Sequence, residues 1–225
     1  MAAARGENDG WQVEVMAMVS DVREFRGLVE LSLDGTLWLR VRKQHFFKRP
    51  LGVGEDVDPD AYVDALAALQ AADCYEAALC MLDQAAHSGG ALCEKLVRRG
   101  YVRPAAEAAV ERLKEIRIVD DEGYAQRMAQ AQLKRPVGAY AVRRKLQAKR
   151  LPEDAIEAAM AGFDDEQQAE ACRAAAEKLQ RKYAGLPSRE ARAKLSQALA
   201  RRGFGWDQIR GAVDALISEW DEADW

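Results

Sequence analysis

The side chains best suited to chemistry in this sequence are a block of arginines and lysines. Residues 123–152 carry eight bases and no acid, although the whole chain has a net charge of −4. Positive charge at this density attracts an anionic partner, either a nucleic-acid backbone or an acidic protein groove. The alternative is a solvated helix face that balances acids nearby in the fold. The bases are Arg127, Lys134, Arg135, Arg143, Arg144, Lys145, Lys149 and Arg150.

Pairs of arginines also precede a glycine at two other places. Residues 96–101 read LVRRGY, and residues 199–204 read LARRGF. The dipole of a helix favours positive charge in its last turn, which accounts for one cation there but not for two adjacent ones. We therefore predict that these arginines join the basic block in binding the partner. The predicted partner-binding residues are Arg98, Arg99, Lys134, Arg135, Arg143, Arg144, Lys145, Lys149, Arg150, Arg201 and Arg202.

Residues for catalysis or metal binding are scarce. Only His45 and His87 supply imidazoles, and the cysteines include no C-x2-C pair. No phosphate-binding loop and no G-x-S-x-G turn occurs, and the acidic pairs at 120–121 and 164–165 stand at predicted helix starts, where capping explains them. We therefore predict no enzyme activity, no cofactor and no metal site. The cysteines are predicted to be small buried hydrophobes: Cys74, Cys80, Cys93 and Cys172.

Composition predicts a globular, mainly helical protein. Hydrophobic residues make up 49% and charged residues 31% of the chain, while aromatic residues make up 7%. No run approaches the roughly 18 apolar residues of a membrane span, and the first residues lack the apolar core of a signal peptide. We expect a cytoplasmic monomer that does not contact a membrane.

Residues 1–58 are predicted to form a small β-rich extension. The runs LVELSL and TLWLRV flank Asp34-Gly35, and Asp-Gly between alternating apolar runs is a strong hairpin signal. A third strand is predicted over 12–19. A connection rich in proline and glycine then leads to the first helix near Asp60. A sheet this small must pack on the helices or on a partner.

Residues 59–225 are predicted to be helical, with capping and stop residues in the expected places. Leu96, Leu146 and Leu199 fall at equivalent points, 50 and 53 residues apart, so we predict tandem three-helix repeats in an elongated array. The repeats span about 75–135, 136–185 and 186–219, and the last lacks its third helix. Predicted N-caps are Ser88, Asp120, Asp164 and Ser188, and predicted helix-ending glycines are Gly100, Gly162 and Gly203.

Apolar residues after these helix ends are predicted to enter the core. Tyr101 and Phe204 each follow a stop glycine, a contact typical of such helix ends. With these rings in the core, little aromatic surface is left for stacking on nucleic-acid bases. The tryptophans near the C-terminus are interpreted as core residues, with an interface as the alternative: Trp206, Trp220 and Trp225.

In combination, these features resemble the RecX regulators of bacterial recombination. The resemblance covers about residues 60–218, and the N-terminal hairpin is similar to an extension found in some members of that family. This chain departs from the family pattern at Arg150, which replaces a glycine, and at Gly90 and Ala91, which replace polar residues. The segments that carry the resemblance are 77–101, 118–128, 134–156 and 199–213.

The resemblance implies a fold of tandem three-helix repeats and a protein that binds the RecA nucleoprotein filament. Such proteins lie in the helical groove of the filament and restrain its growth, its ATP hydrolysis and its strand exchange, in DNA recombination, DNA repair and the SOS response. Single- or double-stranded DNA is a further expected contact of the basic face. The alternative function is a helix-turn-helix-like regulator that binds nucleic acid, since helix pairs with a glycine turn and a basic second helix suit both.

Overall fold

A computed structural model describes the backbone of residues 16–133, 135–183 and 185–223, and side chains within these ranges up to residue 217. The described chain forms an antiparallel sheet followed by helices, which confirms the predicted mainly helical class. The strands are β1 Ala17–Phe25, β2 Leu28–Leu33, β3 Thr36–Arg42 and β4 Asp56–Val57. The helices are α1 Lys43–Phe46, α2 Pro59–Gln84, α3 Gly89–Arg98, α4 Arg103–Glu115, α5 Asp121–Leu133, α6 Ala139–Ala148, α7 Glu153–Met160, α8 Asp165–Tyr183, α9 Ser188–Arg201 and α10 Trp206–Ala223.

The hairpin predicted at Asp34-Gly35 is confirmed. Both residues have a positive φ, 47° and 81°, as a two-residue turn between β2 and β3 requires. A second turn of the same kind, at Arg26-Gly27, has φ values of 50° and 81° and joins β1 to β2. Of the strand predicted over 12–19, residues 17–19 lie in β1, which continues to Phe25, and residues 12–15 fall outside the described part of the chain.

The connection predicted between the sheet and the first helix contains two further elements. The short helix α1 follows β3 directly, and β4 pairs with the beginning of β1 to complete the order β3-β2-β1-β4. The Val19 N–H donates to Glu55 O at 2.9 Å, so the returning chain covers the edge of β1. The prediction of three strands is wrong by one, because a two-residue strand inside a glycine-rich run has no apolar alternation to reveal it.

The chain divides into two compact units, Met1–Cys80 with Cys93–Val110 and Met81–Leu92 with Glu111–Trp225. In the first unit the sheet buries one apolar face, which includes Val29, Leu31 and Val41. This small sheet therefore gains its stability from tertiary burial, as predicted from its size.

Helix α2 is long and continuous, and it is hydrogen-bonded to the residues that directly follow α3. Buried Gln70 donates from Nε2 to Gly100 O at 3.1 Å and accepts from the Val102 N–H at 2.7 Å, so its amide is satisfied. Contrary to the prediction that no segment suits a membrane, α2 is the one helix in the described ranges that is long and apolar enough to cross one. In the structure, Leu66 and Cys74 of this helix are fully buried in the core.

The helices of the second unit form two hydrophobic cores. Helices α5, α6 and α7 share one core, which contains Leu146 and Ile156. Helices α8, α9 and α10 share the other, which contains Leu199 and Ile209. These side chains are all buried, as expected for equivalent positions of a repeat. The first helices of the two cores are α5 and α8, and the predicted repeats place each of them at the end of the preceding repeat. The repeat boundaries stay a prediction.

Three of the four predicted N-caps are present. Ser88, Asp120 and Asp164 each accept a backbone N–H from three residues further on, at 3.2, 2.9 and 3.3 Å. The fourth prediction is wrong by one position, because Pro187 occupies the N-cap of α9 and Ser188 is its first residue. The proline side chain has no hydrogen-bond acceptor, so this N-cap makes no side-chain cap hydrogen bond.

Helices α3, α6 and α9 end in the same left-handed conformation. Gly100 and Gly203 adopt it with φ of 88° and 83°, and Arg150 adopts it with φ of 55°. The Tyr101 and Phe204 N–H groups close the α3 and α9 turns by donating to carbonyls five residues back. A residue with a Cβ costs about 1–2 kcal/mol in this conformation, so α6 ends with strain that α3 and α9 lack.

We expect Arg150→Gly to raise the free energy of unfolding by about 0.5–1 kcal/mol, since the relieved strain exceeds the extra entropy that glycine loses on folding. Urea unfolding followed by circular dichroism measures the change. The matched control is Lys149→Gly, because Lys149 is exposed and has a φ of −87°. It should lower stability by about the same amount. A stabilised Lys149→Gly or a destabilised Arg150→Gly would contradict the strain assignment.

Candidate interaction surface

Arg143 links two helices of the second unit. Its guanidinium donates to Glu153 at 2.6 Å and to Glu157 at 2.7 Å, and both acids lie on α7. The hydrogen bond to Glu157 is the largest cause that raises the pKa of Arg143 above its ordinary value. Both acids lie just outside the acid-free block. Arg143 therefore fits the alternative in which the bases balance acids nearby in the fold, rather than the one in which they bind an anionic partner.

The other bases of α6 differ in how far they are free to bind. Lys145 donates from Nζ to Gln132 Oε1 of α5 at 2.9 Å. Arg144 is exposed, and one turn before it stands Tyr140, so the two side chains share the outward stripe of the helix. Lys149 is exposed at the end of the same helix. Arg144 and Lys149 are therefore the bases of α6 best placed to reach a partner.

The arginines at the end of α9 have different environments. Arg201 is exposed, whereas Arg202 is half-buried. The Nη1 atom of Arg202 is buried, and among the described residues it has no hydrogen-bond partner. A buried donor of this kind carries a desolvation cost, so Arg202 is only partly available to a second molecule.

The end of α9 meets the beginning of α6. The Gly138 N–H donates to Arg202 O at 2.9 Å, and the Tyr140 N–H donates to Gly203 O at 3.1 Å. A Cβ at Gly138 would overlap the carbonyl of Gly203, so the close approach requires glycine. We call this contact the α9–α6 junction. It pairs carbonyls that one helix leaves unsatisfied with N–H groups that the other leaves unsatisfied.

The end of α6 meets the beginning of α3 in a similar way, which we call the α6–α3 junction. The Ser88 hydroxyl donates to Lys149 O, so this side chain both caps α3 and binds the end of α6. A Cβ at Gly90 would overlap the carbonyl of Arg150. Two departures from the family pattern, Gly90 and Arg150, thus lie against each other.

The remaining predicted residues lie outside α6. Arg98 and Arg99 are exposed at the end of α3 and belong to the first unit. Arg135 is exposed after α5. Exposed Arg150 already has an interaction within the chain, and Lys134 lies outside the described residues. The predicted set is therefore only partly brought together, and its role stays a prediction.

The first unit contains a polar cluster around Tyr101. Its hydroxyl donates to Asp73 Oδ2 at 2.8 Å and also bonds the guanidinium of Arg42 on β3. Burial, followed by the hydrogen bond to Asp73, raises the pKa of Tyr101 to about 12. Burial lowers the pKa of His45, whose Nε2 lies 3.5 Å from Asp73. The cluster joins the sheet to α2 and to the α3 end, and it places Tyr101 in the core as predicted.

The cysteines follow the prediction with one exception. Cys74, Cys93 and Cys172 are buried, and burial raises the pKa of the Cys74 thiol to about 12 and of the Cys172 thiol to about 11. Cys80 is exposed, so its predicted burial is wrong. It lies on the outer face of α2, whose apolar composition extends to solvent-facing positions. Within the described ranges, no group of three or more histidine, cysteine or acidic residues could hold a metal ion.

Two exposed aromatic side chains are absent from the predicted site. Tyr140 is 69% exposed at the start of α6, and Trp206 is 67% exposed at the start of α10. The core interpretation of Trp206 is wrong, and the interface alternative remains. The side chains of Trp220 and Trp225 lie outside the described part. The sequence signal for this exposure was the position of Trp206 at the start of a helix, rather than its residue type. Helix α10 buries Ile209 and Val213 and leaves Trp206 exposed.

Known proteins are similar to this chain in sequence and in fold. The family model described as "RecX, third three-helix domain" matches residues 165–213, which run from the start of α8 through α9 into α10. The regulatory protein RecX of Chlorobaculum tepidum is 35% identical over 143 residues, which span 63% of this chain and 87% of that protein. The regulatory protein RecX of Limosilactobacillus reuteri is 26% identical over 209 residues, 92% of this chain and 79% of that protein.

Two solved structures share the fold. A crystal structure of regulatory protein RecX superposes with a TM-score of 0.59 at 24% identity and covers 88% of this chain and 99% of its own. The crystal structure of RecX from Lactobacillus salivarius gives a TM-score of 0.58 at 24% identity, with 68% and 98% covered. The identity and coverage of the Chlorobaculum tepidum relative show the family as well as the fold. The chain belongs to the RecX family of regulatory proteins.

Proposed function

We propose that this protein binds the RecA nucleoprotein filament and restrains its growth, ATP hydrolysis and strand exchange. The observation that carries the proposal is membership of the RecX family of regulatory proteins. The protein acts by occupying the filament rather than by catalysis, and it works in the cytoplasm as a monomer.

The exposed bases of the second unit support this proposal. Arg144, Lys149 and Arg201 are exposed on α6 and α9, where they add positive charge close to the two helix junctions. A filament of protein on DNA offers acidic protein surface and phosphate, both of which attract such charges. Arg143 and Lys145 contribute less, since they already bind Glu153, Glu157 and Gln132.

The direct test is the DNA-dependent ATPase of RecA from the same organism. Purified protein should slow ATP hydrolysis at substoichiometric to equimolar ratios. An unchanged rate across that range, with RecA shown to be active, would refute the proposal. Sequence-specific duplex binding at physiological salt would instead support the helix-turn-helix alternative. Weak DNA binding that salt strongly reduces would indicate only a nonspecific contact with phosphates.

We expect the double variant Arg144→Glu/Lys149→Glu to weaken inhibition of RecA about tenfold, since it places like charges against an anionic partner. The protein should stay folded, because exposed charge changes usually cost less than about 0.5 kcal/mol each. Titration of the ATPase rate against each variant measures the effect, and circular dichroism confirms folding. Arg143 is left intact, since its reversal would also break the links to α7.

The matched control is Arg173→Glu/Lys178→Glu. Both bases are exposed on α8 and lie outside the predicted set, and the change in net charge is the same. This control should inhibit RecA like the wild type. Equal losses in the two double variants would show that net charge matters and the position on α6 does not. An unaffected α6 variant would remove these residues from the interface.

A further inference from the structure

Three helices of the second unit begin around one cleft. The cleft has a volume of about 520 Å³ and is lined by the first turns of α6, α8 and α10. Tyr140 and Trp206 line it, and both side chains are largely exposed. Asp165 and Asp207 line it as well, and both are exposed. The described residues around it include no lysine or arginine.

The charge in this cleft is negative. A helix start carries roughly half a positive charge, but the start of α6 abuts the end of α9, whose opposite partial charge cancels it. The starts of α8 and α10 then supply about one positive charge against two carboxylates. Two of the backbone donors there are already used, since the Ala139 N–H donates to Gln168 Oε1 at 2.9 Å and the Gly205 N–H donates to Gln208 Oε1 at 3.0 Å. The cleft therefore favours a cation over an anion.

We propose that this cleft binds the guanidinium of an arginine in an extended segment of a partner protein. The faces of Tyr140 and Trp206 attract a cation, and a planar guanidinium can also stack on them. Asp165 and Asp207 supply acceptors for charge-assisted hydrogen bonds. Gly205 keeps the space beside Tyr140 open, because it has no side chain to fill it.

This cleft is separate in chemistry from the basic residues proposed to meet RecA, and its assignment does not depend on that proposal. The competing occupant is single-stranded DNA, whose bases stack on exposed aromatic rings. The two aspartates disfavour it, since a strand that stacks on these rings would bring phosphates close to both carboxylates.

The test is a titration of the full chain followed by amide and indole NMR spectra. The probes are a short peptide that alternates arginine with serine, the same peptide with citrulline in place of arginine, and an oligothymidylate. The arginine peptide should shift the Trp206 indole N–H, which is assigned by its loss in Trp206→Leu, and the Gly205 amide. The citrulline peptide should bind about tenfold more weakly, because citrulline keeps the shape and lacks the charge.

The variants Trp206→Leu and Asp165→Asn should each weaken binding of the arginine peptide about three- to tenfold, measured by anisotropy of the labelled peptide. Glu166→Gln is the matched control, because it removes one charge from the same turn of α8 outside the cleft lining and should leave the affinity unchanged. The proposal is overturned if neither cleft signal shifts, if citrulline binds equally well, if oligothymidylate binds more tightly, or if Glu166→Gln weakens binding as much as Asp165→Asn.

Discussion

The variant Phe204→Ala is expected to lower the free energy of unfolding by about 3–5 kcal/mol, the cost of removing a buried phenylalanine ring. Phe204 is 4% exposed and lies in the core shared by α8, α9 and α10. Its N–H also closes the last turn of α9 by donating to Leu199 O at 3.4 Å. The lost ring would leave a cavity where three helices meet, and urea unfolding followed by circular dichroism measures the loss.

The matched control for this variant is Trp206→Ala, two residues further along the chain. Trp206 is 67% exposed, so removal of its larger ring should change stability by less than about 0.5 kcal/mol. Similar losses for both variants would mean that the aromatic segment as a whole supports the fold. Unfolding of Phe204→Ala at wild-type urea concentrations would show that its ring is not part of the core.

The variant Gly203→Ala should be destabilised by about 2–5 kcal/mol. A Cβ costs about 1–2 kcal/mol at the positive φ of 83°. The same Cβ would overlap the backbone of Ala141, and such overpacking costs about 1–3 kcal/mol more. To relieve this overlap, α9 would have to move away from α6, and this movement would disturb the α9–α6 junction. Urea unfolding gives the magnitude, and weaker protection of the Tyr140 amide from solvent exchange gives the location.

The control is Gly211→Ala on the exposed side of α10. Gly211 lies in the middle of α10, it is exposed, and a Cβ there would meet nothing within 4 Å. Alanine favours helix over glycine, so this variant should gain about 0.5–1 kcal/mol. Opposite signs for the two substitutions are the expected result. A neutral Gly203→Ala would mean that neither the strain nor the contact with Ala141 is important.

Local signals predicted the parts of this fold that local physics determines. The hairpin at Asp34-Gly35 follows from the φ values that two residues must adopt, and the cap at Ser88 follows from one hydroxyl beside free N–H groups. The turn at Arg26-Gly27 was not predicted, because arginine at a left-handed position is uncommon and has no sequence signature. The same applies to Arg150, which adopts the conformation of the glycines that end α3 and α9.

Contacts between distant residues account for what the sequence could not predict about the candidate site. Charge marked Arg143 as a binding residue, yet its partners Glu153 and Glu157 come from the following helix. The close approach of Gly138 to Gly203 depends on how the two cores pack together. The spacing of residues along the chain therefore could not predict it. Exposure of Trp206 depends likewise on which face of α10 the core takes.

The α9–α6 junction implies that the two cores of the second unit do not open independently. The Gly138 and Tyr140 amide protons are held by carbonyls of α9, so they should exchange with solvent only when the α8–α10 core loosens. A ligand that orders the end of α9 would then slow exchange at the start of α6, although it touches neither amide. Contact at one core would thus alter the dynamics of the next core.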